Sequence, residues 1–233
     1  MKLLFITDPL VTTIGGATKP ALLLAKQMQT WGHSVEISSL QFTEPIVSLL
    51  NTWGIQHTQV RSHCPVVRSY PTLEAWAKSL VRPTKTVPEN ADTWVVNTSS
   101  CVIADSSAYY GQGTMTSALD AISRNFPLLS QYAYEGLAPW LKLLERRLVQ
   151  RFEESAERFV VNSAFCASIY RKWGINVDRV IYPPLDTELF KASTLEPSED
   201  FVLTHIGTFG KESDPLLIRR IAALGVRIKI FGD

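Results

Sequence analysis

Apolar residues along this chain occur in short runs, separated by segments in which they recur every three or four positions. The runs KLLFIT (2–7) and SVEISSL (34–40) have the aliphatic and β-branched composition that is typical of strands. Between them, apolar residues stand at positions 21, 24, 25, 28 and 31, with Pro20 in the first turn and Gly32 at the end. This spacing predicts a helix, and the first forty residues therefore predict a strand, a helix and a second strand.

The same alternation continues to residue 184. Helices are predicted for EPIVSLLNTWG, for TLEAWAKSLV, for a segment ending near residue 124, for residues 138–155 and for AFCASIYRKWG. Strands are predicted at 55–60, 93–99, 127–134, 158–163 and 178–184, and residues 104–117 are predicted to be a polar segment. Strands that alternate with crossover helices form a parallel sheet, so the expected class is α/β, a Rossmann-like sheet with helices on both faces.

The pattern is interrupted after Pro184 by a stretch with the composition of a linker. We expect one domain at residues 1–184, a linker at 185–200, and the beginning of a second α/β domain at 201–233. Two predicted strands (201–207 and 226–233) and one helix (214–225) cannot cover both faces of a sheet. The second domain is therefore expected to be incomplete.

Composition narrows the classes of function. The net charge is +1, and the sequence has no zinc-finger or helix-turn-helix signature, so nucleic acid is not an expected partner. Cys64, Cys101 and Cys166 are too widely separated for a disulfide framework or for metal-ligand spacing. Asp8 and Pro9 interrupt the first apolar run before it could serve as a signal sequence or membrane span. We expect reduced thiols and a cytoplasmic location.

The loop TDPLVTTIGGAT follows the first predicted strand, which is where open α/β sheets bind ligands. Gly15 and Gly16 lack a Cβ atom, so backbone N–H groups there can approach an anion closely, and the helix starting near Lys19 adds the positive end of its dipole. The loop is interpreted either as a site for a phosphate or sugar hydroxyl or as a flexible turn. It lacks the G-x-G-x-x-G fingerprint, which argues against a dinucleotide.

Several segments together resemble GT-B glycosyltransferases of the large retaining class that includes many mannosyl- and glucosyltransferases, the family 4-like enzymes. GGATKPALLLAKQMQTWGHSVEI resembles their glycine loop and first helix. The segment LERRLVQRFEESAERFVVNSAFCASIYRKWGINVDRVIYPPLDTELF is similar to their long helix, Asn-Ser strand end and domain junction. The tail from Phe201 resembles the opening of their nucleotide-sugar-binding domain.

The resemblance implies that a hexose is transferred from a nucleotide-diphosphate sugar to an acceptor, with retention at the anomeric carbon. It places the acceptor on the first domain, at Gly15, Gly16 and Ala17, and the donor mostly on the second. The nucleotide sugar is a substrate, and the family normally requires no metal or other cofactor. Catalysis in such a cleft rests on positioning and on stabilising the departing diphosphate.

The chain departs from the family pattern where the resemblance places the donor diphosphate. The family has an Arg and a Lys after the first strand of its second domain, whereas this chain has Thr208 and, near the Lys position, Ser213. Gly207, Thr208 and Lys211 are the predicted donor-diphosphate residues, with Lys211 as the candidate cation. The two glutamates that grip the donor in the family have no counterpart before Asp233.

A further departure concerns the family's His before an acidic residue at a strand end, which faces the reacting sugar. In LLSQYAYEGL the corresponding residues are Tyr134 and Glu135, which become the predicted catalytic pair. A tyrosine can donate a hydrogen bond, but its ordinary pKa near 10 makes it a poor acid or base at neutral pH. A half-buried aromatic and a solvated glutamate are the structural alternative.

Two hypotheses follow for the whole molecule. The first is a glycosyltransferase whose chain, as a fragment, needs a further segment or a second polypeptide for activity. The second is a non-catalytic protein with a degenerate GT-B fold that binds a glycan or a partner. The predicted helix 138–155, with an apolar stripe beside Lys142, Arg146, Arg147 and Arg151, would either pack on the core or contact an anionic membrane peripherally.

Overall fold

The computed structural model describes residues 1–11, 18–61, 71–88, 92–187, 202–206 and 215–231. The chain divides into two compact units. The first comprises Met1–Met115 with Trp140–Asp186, and the second comprises Thr116–Pro139 with Thr187–Asp233.

Strands and helices alternate along the described residues. The strands are β1 (Lys2–Thr7), β2 (Ser34–Ser39), β3 (Gln56–Gln59), β4 (Thr84–Thr86), β5 (Thr93–Asn97), β6 (Val102–Ala104), β7 (Ala108–Gly111), β8 (Phe159–Val161), β9 (Arg179–Val180), β10 (Val202–Ile206) and β11 (Arg227–Phe231). The helices are α1 (Lys19–Thr30), α2 (Glu44–Thr52), α3 (Pro71–Val81), α4 (Met115–Ile122), α5 (Leu128–Glu154), α6 (Ala164–Lys172) and α7 (Pro215–Ala223), with a short 3-10 helix at Ser123–Asn125.

The first unit is built on a parallel sheet, which confirms the predicted α/β class. In the described part of the chain this sheet has seven strands in the order β3-β2-β1-β5-β7-β8-β9, and every neighbouring pair is parallel. Two short strands, β4 and β6, form a separate parallel pair.

Helices pack on both faces of this sheet because successive side chains of a strand point to opposite faces. Leu3 and Phe5 of β1 contact a cluster that contains buried residues of α1 and α2, whereas Leu4 and Ile6 face a cluster with Ala75 of α3. The strands nearer the other edge share a third cluster with α5 and α6, which contains Phe152, Phe159 and Tyr170. The sheet is therefore the middle layer of three.

The run at 127–134 was wrongly predicted to be a strand, because it forms the beginning of α5. Its large apolar residues are spaced for a helix and lie at the surface, with Leu128, Leu129 and Tyr132 at least 64% exposed. Pro127, directly before the helix, lacks the N–H that a first turn leaves unpaired.

Residues 104–117, predicted to be a polar segment, contain a strand of the main sheet. β7 has only four residues, AYYG, and serine and glutamine residues flank it. Four residues are too few to show the alternation of apolar and polar positions that identifies a strand. β9 is also shorter than the predicted 178–184 because only Arg179 and Val180 pair with β8. Pro183 and Pro184 follow, and they cannot donate ladder hydrogen bonds.

In the second unit, β10 and β11 pair in parallel, with Val202 opposite Arg227, and α7 lies between them in sequence. This is the strand, helix and strand predicted for 201–233. The boundaries 1–184, 185–200 and 201–233 themselves stay predictions. None of the helices within the described ranges combines the length and apolar character needed to cross a bilayer.

Candidate functional site

The strand order of the main sheet reverses between β1 and β5. The chain moves outward from β1 through β2 to β3, and then returns to β5 on the other side of β1. Neighbouring loops therefore leave the carboxyl ends of β1 and β5 in opposite directions. Open α/β sheets bind their ligands at such a reversal of strand order.

A buried carboxylate lies at this reversal of strand order. Asp8, directly after β1, is 7% exposed and accepts hydrogen bonds from the loop after β5. Its Oδ1 lies 2.9 Å from Ser99 Oγ, 2.8 Å from the backbone nitrogen of Ser100 and 3.2 Å from Cys101 Sγ. Ser100 Oγ donates to the same group, 3.0 Å from Oδ2 and 3.1 Å from Oδ1. Asp8 thereby joins the ends of two adjacent strands.

Burial decides the protonation behaviour of this cluster. Loss of water raises the pKa of Asp8 above its ordinary value, and the four donors around the carboxylate only partly reverse the effect. Burial, followed by the nearby Asp8 charge, raises the pKa of Cys101 well above the usual thiol value. Cys101 therefore remains a neutral thiol that donates to Asp8. The lone pairs of Asp8 are already occupied by hydrogen bonds. Asp8 is therefore better suited to positioning the loop than to removing a proton from a substrate.

The loop after β5 is held by its own side chains as well. Asn97 Oδ1 accepts from the backbone nitrogen of Ser99 at 2.9 Å, and Asn97 Nδ2 donates to the carbonyl oxygen of Val102 at 2.9 Å. Ser99 Oγ also accepts from the backbone nitrogens of Cys101 and Val102. Residues 97–102 thus form one turn, which is held by the hydrogen bonds of the Asn97 and Ser99 side chains.

The chain leaving Asp8 is anchored before it reaches the predicted glycine loop. The carbonyl oxygen of Asp8 accepts from Ser39 Oγ at 2.9 Å. Two residues later, Leu10 donates to the carbonyl oxygen of Gln41 at 2.9 Å and accepts from the backbone nitrogen of Thr43 at 3.2 Å. These bonds fix the chain to the carboxyl end of β2.

The far side of the loop is the first turn of α1. It contains no acidic residue, and the side chain of Thr18 makes no capping bond. The positive end of the helix dipole therefore meets no carboxylate within this first turn, which suits an anion or a polar hydroxyl nearby.

The other half of the carboxyl edge has its own polar group at the end of β8. Asn162 Nδ2 donates to the carbonyl oxygen of Gln112 at 3.2 Å, which joins the loops after β7 and β8. Ser163 caps α6 by accepting from the backbone nitrogen of Cys166 at 3.2 Å. The predicted order of strand, Asn-Ser pair and helix is confirmed here.

The site residues predicted from the sequence do not belong to the Asp8 cluster. Gly15, Gly16 and Ala17 and the donor residues Gly207, Thr208 and Lys211 lie outside the described residues. Tyr134 and Glu135 lie within α5 and not at a strand end, which corrects their predicted setting. Their catalytic roles stay predictions.

Both α5 side chains are engaged in local contacts. Tyr134 donates its hydroxyl hydrogen toward Asp120 Oδ1 at 2.7 Å, with the carbonyl oxygen of Thr116 at 3.1 Å. Glu135 Oε1 accepts from Gln131 Nε2 at 2.9 Å. A tyrosine hydroxyl has one hydrogen to donate. Tyr134 can therefore donate to a ligand only after its hydrogen bond to Asp120 is broken.

Sequence reasoning missed the Asp8 cluster. In the sequence Asp8 stands out only as an interruption of an apolar run, and the TSSC segment after β5 carries no recognisable motif. The available signal was positional, since both polar segments directly follow strands of the predicted sheet. The pairing itself joins residues 91 to 93 positions apart, which no local pattern reveals.

Comparison with solved structures identifies proteins of similar fold. Anabaena Alr3699/HepE in complex with UDP and glucose superposes with a TM-score of 0.53 at 16% identity, over 99% of this chain and 60% of that one. HepE in complex with UDP gives 0.49 at 14% identity, over 100% and 70%. A glycosyltransferase from Rickettsia africae gives 0.45 at 14% identity, over 100% and 68%.

The first of these matches shows a shared fold, the Rossmann-like α/β sheet, although this chain spans 60% of the length of that HepE chain. No protein-family model matches the sequence, and no curated protein sequence matches it either.

Proposed function

We propose that the protein is a GT-B glycosyltransferase, which transfers a hexose from a nucleotide-diphosphate sugar to an acceptor with retention. The observation that carries this proposal is the fold shared with HepE, crystallised with UDP and glucose, over 99% of the chain. The order of the elements and the motifs at their ends support it. The resemblance of the sequence to retaining enzymes of the family 4-like class is the ground for retention.

In this proposal the acceptor lies at the carboxyl edge of the first unit. The loop with Gly15, Gly16 and Ala17 would bind an acceptor hydroxyl or phosphate through backbone N–H groups. Asp8 holds the start of that loop through Ser39, and it holds the neighbouring turn through Ser99 and Ser100. A loop anchored at its start loses less conformational freedom on binding than a free one.

The donor diphosphate would lie at Gly207, Thr208 and Lys211 of the second unit. Lys211 is the cation proposed to replace the Arg and Lys of the family. A charged hydrogen bond to phosphate contributes about 1.5–3 kcal/mol, so one lysine in place of two cations implies a weaker donor site. Tyr134 and Glu135 are proposed to face the reacting sugar.

Further polypeptide is proposed to complete the donor domain, either on the same chain or as a second subunit. The acceptor would be a glycan or a lipid-linked sugar. On α5, Trp140 and Leu143 are exposed and share a helical face with Arg147 and Arg151, at spacings of three, seven and eleven residues. An exposed face with aromatic, aliphatic and basic residues suits peripheral contact with an anionic membrane at the cytoplasmic side.

Turnover by the full-length gene product tests the proposal. UDP-, GDP- and ADP-linked hexoses are offered with a panel of glycan and lipid-linked acceptors, and release of nucleoside diphosphate is followed. We expect release with one nucleotide class that depends on acceptor, and a higher KM for the donor in Lys211→Ala. Glycan binding with neither nucleotide binding nor turnover would contradict the proposal and favour a non-catalytic binding protein.

A further inference from the structure

The side chain of Glu145 is a carboxylate buried inside the first unit. It lies on α5 and is 3% exposed. Its Oε1 accepts hydrogen bonds from Trp76 Nε1 of α3 at 3.1 Å and from the backbone nitrogen of Met115 at 2.6 Å. Met115 is the first residue of α4, where the positive end of the helix dipole lies. A buried carboxylate is costly unless it is paired, so these two bonds offset its burial.

Met115 directly follows a short loop, residues 112–114, at the carboxyl end of β7. Because β7 pairs in parallel with β5, which pairs in parallel with β1, this loop leaves the same edge of the sheet as Asp8. Open α/β sheets bind their ligands outside this edge. Gly113 in the loop has a φ of 116°, a conformation that favours glycine.

Side chains from neighbouring elements hold the carbonyl groups of this loop. Asn162 Nδ2 donates to the carbonyl oxygen of Gln112 at 3.2 Å. The hydroxyl of Tyr170 donates to the carbonyl oxygen of Gly113 at 2.8 Å. A third bond joins the residue after the loop to Glu145. Three side chains therefore fix one short stretch of backbone at the carboxyl edge.

This arrangement directs the N–H group of Gly113 away from Asn162. A trans peptide is planar, and its N–H points opposite to its carbonyl group; the described residues contain no cis peptide bond. The carbonyl of Gln112 points toward Asn162, so the N–H of Gly113 points the other way. None of the described residues accepts a hydrogen bond from this N–H. A donor that is already fixed in direction binds a ligand oxygen with little loss of conformational freedom.

We propose that Glu145 is a positioning residue for acceptor binding, which holds residues 112–114 so that the Gly113 N–H donates to a hydroxyl oxygen of the acceptor. The inference rests on the proposed transferase function, which places the acceptor at this edge of the first unit. The Glu145 carboxylate already meets the start of α4 and disfavours a phosphate there, so a neutral sugar hydroxyl is the expected partner. Glu145 acts through the loop and does not touch the substrate.

Steady-state kinetics of the full-length gene product tests the inference. Glu145→Ala removes the accepting oxygen and should raise the KM for the acceptor roughly three- to tenfold, which corresponds to one lost hydrogen bond. The KM for the donor should not change. Glu145→Gln keeps an oxygen that can accept from Trp76 and Met115, so it should restore most of the wild-type KM.

Leu50→Ala is the control for lost stability. Leu50 is buried in the cluster that α1 and α2 share with β1, so the cavity left by alanine should lower the Tm without changing the KM for the acceptor. An unchanged acceptor KM in Glu145→Ala would overturn the inference and leave sugar transfer intact. A rise of the same size in Leu50→Ala would overturn it too, since the effect would then follow from stability alone.

Amide hydrogen exchange of the ligand-free protein is a second measurement, and it requires no turnover. The amide of Met115 should exchange faster in Glu145→Ala and near the wild-type rate in Glu145→Gln, because only alanine removes its acceptor. An unchanged exchange rate in Glu145→Ala would overturn the inference. Absence of turnover in the wild type would contradict the proposed function, and the inference with it, so the wild-type protein distinguishes the two failures.

Discussion

Asp8 experiences two opposing influences within a few ångströms. Removal from water disfavours its charge, and the donors of Ser99, Ser100 and Cys101 favour it; burial is the larger effect, so its pKa is raised. A carboxylate in this position makes the protein less stable as it ionises. Its hydrogen bonds nevertheless order the two loops that follow β1 and β5.

The pH dependence of the free energy of unfolding should reveal the loss of stability that ionisation of Asp8 causes. Below the ordinary aspartate pKa of about 3.9, Asp8 is protonated in both the folded and the unfolded states. As pH rises above that value, the unfolded state ionises first, so the wild type loses stability until the raised folded-state pKa is passed. Asp8→Asn lacks this loss. We therefore expect the free energy of unfolding of Asp8→Asn, minus that of the wild type, to grow with pH through this window.

The growth should amount to about 1.4 kcal/mol for each unit by which folding raises the pKa. Urea unfolding at pH values from 3 to 8, as about ten evenly spaced points, measures it. A difference that shrinks as pH rises would mean that the hydrogen bonds outweigh burial, and would contradict the account given for this residue.

Between elements, a close approach occurs where β7 meets α6. A Cβ atom on Gly111 would lie 3.0 Å from Cε2 and 3.1 Å from the hydroxyl oxygen of Tyr170. Tyr170 is 1% exposed, its ring packs edge-on against Phe159, and its hydroxyl donates to the carbonyl oxygen of Gly113 at 2.8 Å. The ring is therefore held from three sides and has little room to yield.

Substitution of Gly111 by alanine should destabilise the first unit by about 1–3 kcal/mol, because overpacking forces the ring or the strand to shift. Gly136→Ala is the contrasting control. Gly136 lies inside α5, and outside its own helix backbone no atom of the described residues stands within 4 Å of the place that an added Cβ would take. Alanine should therefore stabilise by about 0.5–1 kcal/mol through helix propensity. Denaturant unfolding of both variants checks the signs, and equal effects would contradict the packing described for Tyr170.

The exposed face of α5 yields a separate prediction. If α5 contacts an anionic membrane, Trp140→Ala and Arg147→Glu should both reduce cosedimentation with vesicles of phosphatidylcholine and phosphatidylserine. The first removes apolar contact, and the second replaces a positive by a negative charge, where one basic residue is worth about 1 kcal/mol near an anionic surface. Arg171→Glu on α6 is the control and should bind as the wild type does. Equal loss in the control, or no loss in either variant, would contradict the assignment of this face.

At this scale the sequence predicted most of the first unit. β1, α1 and β2 were readable because alternating runs, Pro20 and Gly32 mark their limits. The prediction of a strand at 127–134 was wrong because Leu128, Leu129 and Tyr132 lie on a solvated helix. Composition alone does not distinguish such a helix from a strand. β7 was missed because four residues carry too little periodicity.

The site was less accessible to sequence reasoning than the fold. A glycine loop can be recognised locally, whereas the bonds from Ser99 and Ser100 to Asp8 depend on β1 and β5 being neighbours in the sheet. That adjacency follows from topology. Polar residues directly after two adjacent strands of a parallel sheet are the signal that would have found them.

The whole molecule combines a Rossmann-like sheet, whose strand order reverses between β1 and β5, with a fold shared with a protein crystallised with UDP and glucose. In the proposed function, the first unit receives the acceptor and the second contributes to holding the donor. These parts together make transfer of a hexose with retention the central claim.

The most direct test is the anomeric configuration of the product made by the full-length gene product. An α-linked nucleotide hexose of the class that supports turnover is incubated with its acceptor, and the new linkage is read by NMR from the one-bond coupling between the anomeric carbon and its hydrogen. The account predicts an α-linked product and release of one nucleoside diphosphate for each linkage formed. A β-linked product would contradict retention, and the absence of any new linkage across the nucleotide-sugar panel would contradict glycosyl transfer itself.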